Sequence, residues 1–178
     1  MRVSLEKVNG VYQGACYPFR SGLQCGVNRI CFAPDGSMFV GQTNRGWGSV
    51  GGKPYGLQRL VWTGVVPLEI KTMRLTRDGF VLTFTKPLNV GTLVGSDTYS
   101  LQSFTYNYWS NYGSPEVDRR GEKVQGVKLS ADRRTVSLAV AGLRRGRVYE
   151  LHLEGVKSSD GDPVLHPEAY YTLNEIPQ

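Results

Sequence analysis

The chain has 178 residues, 40% hydrophobic and 20% charged, enough to fill one or two cores and ordinary for a globular protein. No run of 18 apolar residues occurs, which excludes a helical membrane span, and residues 1–10 lack the apolar segment and small-residue cleavage site of a signal peptide. The net charge of +6 invites a nucleic-acid partner, but no recognition-helix pattern, RNP-like aromatic strand or zinc knuckle accompanies it, so nucleic acid is not an expected partner.

The charge is uneven. Residues 1–66 carry seven Lys and Arg against two acids, whereas residues 67–178 carry fourteen against thirteen. In the first part, residues 28–32 are apolar and strand-like, Pro34-Asp35-Gly36 is a turn, and residues 38–40 return as a second strand. Pro34 presets φ, Asp35 can bond its own backbone, and Gly36 tolerates positive φ. Together with residues 41–62 this reads as one blade of a β-propeller, a unit that cannot bury both faces without neighbours. No internal repeat supplies other blades, so the chain looks like the tail of a larger protein.

Cys16, Cys25 and Cys31 are the only cysteines. An odd count argues against a fully paired set. A Cys16–Cys25 bridge could close a small loop in a secreted protein, leaving Cys31 as a core thiol beside Phe32; the alternative is three buried free thiols. The only histidines, His152 and His166, lie far downstream and no C-x₂-C spacing exists, so no metal is expected.

Past Val66 the texture becomes strands and turns without an amphipathic helix. Phe80, Leu82 and Phe84 alternate with polar or β-branched neighbours, as do Val136, Leu138 and Val140, and then Tyr149, Leu151 and Leu153. Turns are expected at residues 77–79, 130–134 and 143–146, with a longer loop at 158–163. Residues 97–109 form one long aromatic strand whose in/out parity changes at Gln102-Ser103, which predicts a bulge there. Around seven strands over about 110 residues is the size of an immunoglobulin-like β-sandwich. The expected organisation is therefore all-β: residues 1–66 a partial β-propeller blade with a Gly-rich loop, residues 67–178 an immunoglobulin-like β-sandwich able to fold alone.

Four stretches carry a more specific likeness: GVNRICFAPDGSMFVGQTNRGWGSVGGKPYGLQRLVWTG, PLEIKTMRLTRDGFVLTFTKPLN, YNYWSNYGSPEV and VYELHLEGVKSSDGDPVLHPEAYYTLNEIP. They resemble the C-terminal region of large secreted bacterial β-propeller proteins akin to the glucose/sorbosone dehydrogenases, where the last blade runs into an immunoglobulin-like domain. The likeness covers nearly the whole chain and is most specific at residues 44–55 and 169–177. It implies an extracytoplasmic (periplasmic or secreted) location and, as partners, the remaining propeller blades or another protein domain. Pyrroloquinoline quinone and Ca²⁺ would be cofactors only of a larger parent; no cofactor is expected in this chain.

Two surfaces are candidate sites. In the loop of residues 42–55, Arg45 and Lys53 could clamp a carboxylate or phosphate, Trp47 and Tyr55 offer flat faces to a sugar or quinone ring, and Asn44 lies beside them. The bland alternative is that this loop packs against a neighbouring domain. The second is the strip containing Tyr106, Tyr108, Trp109 and Tyr112, suited to carbohydrate stacking or protein contact, unless it serves internal packing. Asp160-Gly161-Asp162 reads as a solvated turn, since the spacing of a calcium loop is absent. No catalytic constellation is visible. The sequence therefore points to a noncatalytic structural and interaction region. The alternatives are part of a quinoprotein sugar-dehydrogenase-like oxidoreductase and a carbohydrate-binding module.

Overall fold

The computed structural model describes residues 1–44, 48, 50–93 and 98–178; thirteen strands and one 3₁₀ turn, Val90–Thr92, are the regular elements among them. In chain order the strands are β1 (Arg2–Val8), β2 (Val11–Tyr17), β3 (Val27–Phe32), β4 (Met38–Thr43), β5 (Tyr55–Leu60), β6 (Ile70–Thr76) and β7 (Gly79–Phe84). They continue with β8 (Tyr99–Tyr106), β9 (Glu116–Gly121), β10 (Val124–Leu129), β11 (Thr135–Val140), β12 (Arg147–Leu153) and β13 (Glu168–Leu173). They form three antiparallel sheets: six strands in the order β1-β2-β13-β12-β8-β9, four in the order β10-β11-β7-β6, and three in the order β3-β4-β5.

The chain divides into two compact units, Met1–Phe19 with Val66–Gln178, and Arg20–Val65. The change of unit near Val66 coincides with the change of texture in the sequence. The first nineteen residues, expected with the blade, instead belong with the later strands, because β2 pairs with β13 through Cys16 to Tyr170, Ala15 to Tyr171 and Gly14 to Thr172.

In the larger unit the inner faces of the six- and four-stranded sheets share one core. The alternating residues read from the sequence all point into it: Phe80, Leu82, Phe84, Val136, Leu138, Val140, Tyr149, Leu151 and Leu153 are buried. The Phe80 ring sits 5.4 Å from that of Tyr149 and 5.3 Å from that of Tyr171, both tilted, the arrangement that aromatic quadrupoles favour. β2 adds Ala15 and Tyr17 to the same core.

β1 and β2 also cover the outer edge of β6 with side chains. The Arg2 guanidinium donates to the carbonyls of Ile70 and Lys71, the Met73 amide donates to Tyr17 Oη at 2.6 Å, and the Leu75 amide donates to Glu6 Oε1 at 2.8 Å. Tyr171 Oη donates to the same Glu6 oxygen at 2.5 Å. Backbone groups of an edge strand are thus satisfied without another strand. Burial raises the pKa of both Tyr17 and Tyr171, most strongly where Glu6 also accepts from Tyr171.

The predicted bulge falls on the opposite strand. β8 keeps unbroken register with β12 from Tyr99 to Phe104, while the β8–β9 pairing slips between Ser103 and Thr105 because β9 carries the extra residue. There Asp118 adopts φ 53°, and buried Arg147 holds it: Nη1 donates to Asp118 Oδ2 at 2.7 Å, Nη2 to Asp118 O at 2.5 Å, and Nε to Ser103 Oγ at 2.8 Å. The parity change in β8 has a different origin. Phe104 is buried on the outer face, with the Arg119 guanidinium 4.8 Å above its ring.

Candidate functional site

The smaller unit is built on a hairpin whose turn is as expected. The Gly36 amide donates to Ala33 O at 2.9 Å and Gly36 has φ 80°, a three-residue loop ending in a left-handed residue. Ser37 donates to Asp35 Oδ1 through its amide at 2.9 Å and its hydroxyl at 2.7 Å, and Arg59 Nη2 reaches Asp35 Oδ2 at 2.5 Å. The Ser37 donors and then Arg59 hold the Asp35 pKa down at about 2, against an ordinary 3.8.

Glutamines organise the other end. Gln42 Oε1 accepts from the Cys25 amide at 2.9 Å, Gln42 Nε2 donates to Gln58 Oε1 at 2.8 Å, and the Gln24 amide donates to the same Gln58 oxygen at 2.9 Å. The Asn44 amide donates to Pro54 O at 2.9 Å and the Lys53 amide to Gln24 O at 3.3 Å, closing the base of the Gly-rich loop. Asn44 is half-buried, while Lys53 is exposed and Tyr55, opposite Thr43 in the ladder, is 77% exposed. Arg45 and Trp47 lie outside the described residues.

The sheet carrying this loop buries little of its own apolar surface. On the face of Val40, Val27, Ile30 and Phe32 are 54%, 58% and 68% exposed; on the other face Leu57 is 71% exposed, beside Tyr55 and Phe39. Every residue of β3 is exposed, although residues 28–32 read as apolar and strand-like. Cys31 is likewise exposed and not a core thiol; Cys16 is half-buried, Cys25 buried, and all three are free, so the Cys16–Cys25 bridge does not form.

The aromatic strip occupies the β8–β9 hairpin of the larger unit. Tyr106 packs edge-on against Phe104 at 5.5 Å, and partial burial and the Glu116 carboxylate raise its pKa. Beyond it the loop is closed by Trp109 Nε1 donating to Gly113 O at 2.6 Å and by the Asn107 amide donating to Ser114 Oγ at 2.8 Å. Trp109 is thereby half-exposed, whereas Tyr108 and Tyr112 are fully exposed. The two rings are presented on a tip pinned by these hydrogen bonds.

Both histidines lie against a carboxylate. His152 Nε2 lies 3.0 Å from Glu150 Oε1, and His166 Nδ1 2.7 Å from Glu69 Oε1. Lys86 pairs with Asp162 of the expected solvated turn at 2.6 Å. Among the described residues no group of three or more His, Cys, Asp or Glu gathers as a metal site, and no helix is long and apolar enough to cross a membrane.

No protein-family model and no curated protein matches this chain. Among solved structures, it is similar to the S-layer protein rSbsC, with a TM-score of 0.46, 18% identity, and coverage of 61% of this chain and 14% of that one. A structure of domains 1–6 of the surface layer protein SbsC gives a TM-score of 0.44, 18% identity, and coverage of 63% and 14%.

Proposed function

We propose that this chain is a noncatalytic structural and interaction region of an extracytoplasmic protein. In this reading the three-stranded sheet is a propeller-blade-like element, and the two-sheet unit is an immunoglobulin-like sandwich. The observation that carries it is the exposure of Ile30, Phe32, Tyr55 and Leu57 on both faces of one small sheet. Apolar side chains so placed on a folded sheet mark a surface built to be covered. The partner is another β-rich surface, apolar where it meets these side chains. It is acidic at its margin, because residues 20–65 carry five Lys and Arg against a single Asp.

The decisive experiment is a dye-linked sugar-dehydrogenase assay on the purified chain with pyrroloquinoline quinone and Ca²⁺, together with calorimetric titration of the quinone. Neither turnover nor tight binding is expected, since a cofactor channel needs walls on several sides. Measurable turnover would overturn the reading in favour of the oxidoreductase alternative.

A carbohydrate-binding role has one observation in its favour, the fully exposed Tyr108 and Tyr112 on a loop fixed by Trp109. It predicts retention of the chain on an insoluble polysaccharide and loss of that retention in a Tyr108→Ala, Tyr112→Ala variant.

A further inference from the structure

The edges of the two larger sheets are not treated alike. β6 is sealed by Arg2, Tyr17 and Glu6. β9 is interrupted by the Asp118 bulge and carries Glu116, Asp118, Arg119 and Arg120. β10 slips register between Val124 and Gly126 and bears Lys128. These are the usual means of discouraging edge-to-edge pairing. β1 has neither a bulge nor a register slip; of its charged side chains, Arg2 and Glu6 reach toward β6 and Lys7 lies near its end. It is the terminal strand of the six-stranded sheet, it keeps seven consecutive partners on β2 without a slip, and among the described residues no strand pairs with its far side. Its outward apolar side chains, Val3 and Leu5, are 56% and 65% exposed, and Leu5 stands opposite Gly14, which offers no side chain directly across the ladder.

The order of residues along this strand is self-complementary. Turned antiparallel about Ser4, the segment sets Val3 against Leu5 and Arg2 against Glu6 of a second copy. Apolar residues then meet apolar ones on the outer face, in the directly opposed positions where cross-strand pairs interact most, and on the inner face Arg2 and Glu6, which keep their β6 contacts, take opposed positions so that no like charges face each other. Centring the pair on Leu5 would set Val3 against Lys7 and Ser4 against Glu6, losing both matches. An isologous contact needs this kind of internal symmetry.

We infer that β1 is the edge through which a second copy of this chain adds to the six-stranded sheet, two β1 strands pairing antiparallel about Ser4. The two copies form one continuous twelve-stranded sheet, with Val3 and Leu5 of both in a row across the join. The contact is independent of the three-stranded sheet proposed above as the surface for another protein.

Sedimentation of the full chain from about 1 to about 500 μM tests the inference. A monomer–dimer equilibrium is expected, and the Val3→Lys, Leu5→Lys double variant should raise its dissociation constant about 100-fold or more, because like charges become directly opposed. A Phe32→Lys, Leu57→Lys variant should leave the dimer unchanged. Amide exchange of the unaltered chain gives a second readout: protection in β1 should rise with concentration while that of β9 stays constant. A chain monomeric throughout overturns the inference, as does a dimer that survives the β1 double variant. A dimer lost only in the Phe32, Leu57 variant also overturns it and assigns self-association to the smaller sheet.

Discussion

Arg147 shows how one side chain settles a local conformation. Its guanidinium is buried, binds Ser103 and both the carboxylate and the carbonyl of Asp118, and so fixes the left-handed residue at which the β8–β9 register slips. Arg147→Met should cost about 2–4 kcal/mol by thermal denaturation, since Ser103 and Asp118 lose charge-assisted bonds. Arg147→Lys should recover little, because an ammonium cannot span the three acceptors as a planar fork does. Asp35 supplies a pH signature in the smaller unit. Its folded pKa of about 2 lies below the ordinary 3.8, so its contribution is complete above about pH 4 and is lost as pH falls through about 2. Carboxyl NMR titration should show this low midpoint, moving toward the ordinary value in Ser37→Ala.

At the scale of elements, the β1–β2 hairpin does more than extend a sheet. Tyr17 buries its ring in the core and offers its hydroxyl to the Met73 amide, so one residue serves both layers. Tyr17→Phe removes a single oxygen and leaves that amide unpaired; about 1–3 kcal/mol of stability should be lost in chemical denaturation. Amide exchange at Met73 should accelerate more than at Leu82, which lies on the neighbouring central strand. The hairpin itself depends on Gly14, where a Cβ would meet Ser4 O at 2.0 Å. No flexible side chain lies there to give way, only backbone.

At the scale of the molecule, residues 20–65 interrupt a unit formed by what precedes and follows them. Among the described residues, the shared core of the larger unit contains none from that interval. Replacing residues 20–65 with a short Gly/Ser linker should therefore leave a cooperative thermal transition and native near-UV dichroism. Residues 67–178 alone, expected from the sequence to fold independently, should lose that cooperativity: Ala15 and Tyr17 leave the core, Tyr171 loses its Glu6 and Gln13 partners, and the β6 edge is uncovered. A 67–178 fragment with an unaltered melting temperature would show that β1 and β2 are dispensable.

The sequence by itself determined the local elements. The alternation of Phe80, Leu82 and Phe84 and of Tyr149, Leu151 and Leu153 set strands and their inner faces, and Pro34-Asp35-Gly36 set a hairpin, because periodicity and turn chemistry act over a few residues. The candidate loop and the aromatic strip were legible as composition. That Tyr108 and Tyr112 stand exposed while Tyr106 packs on Phe104 was not, since all three are tyrosines in one Tyr/Asn-rich stretch. Only the tertiary structure decided that residues 2–17 extend the sheet of residues 99–173, that Phe32 and Cys31 face solvent, and that the extra residue of the bulge sits on β9. Two of these depend on a partner remote in the chain, β13 for β2 and Arg147 for Asp118, and the third on no described residue covering β3. A strand's pattern states which face is apolar; what lies against that face is fixed by long-range pairing and packing.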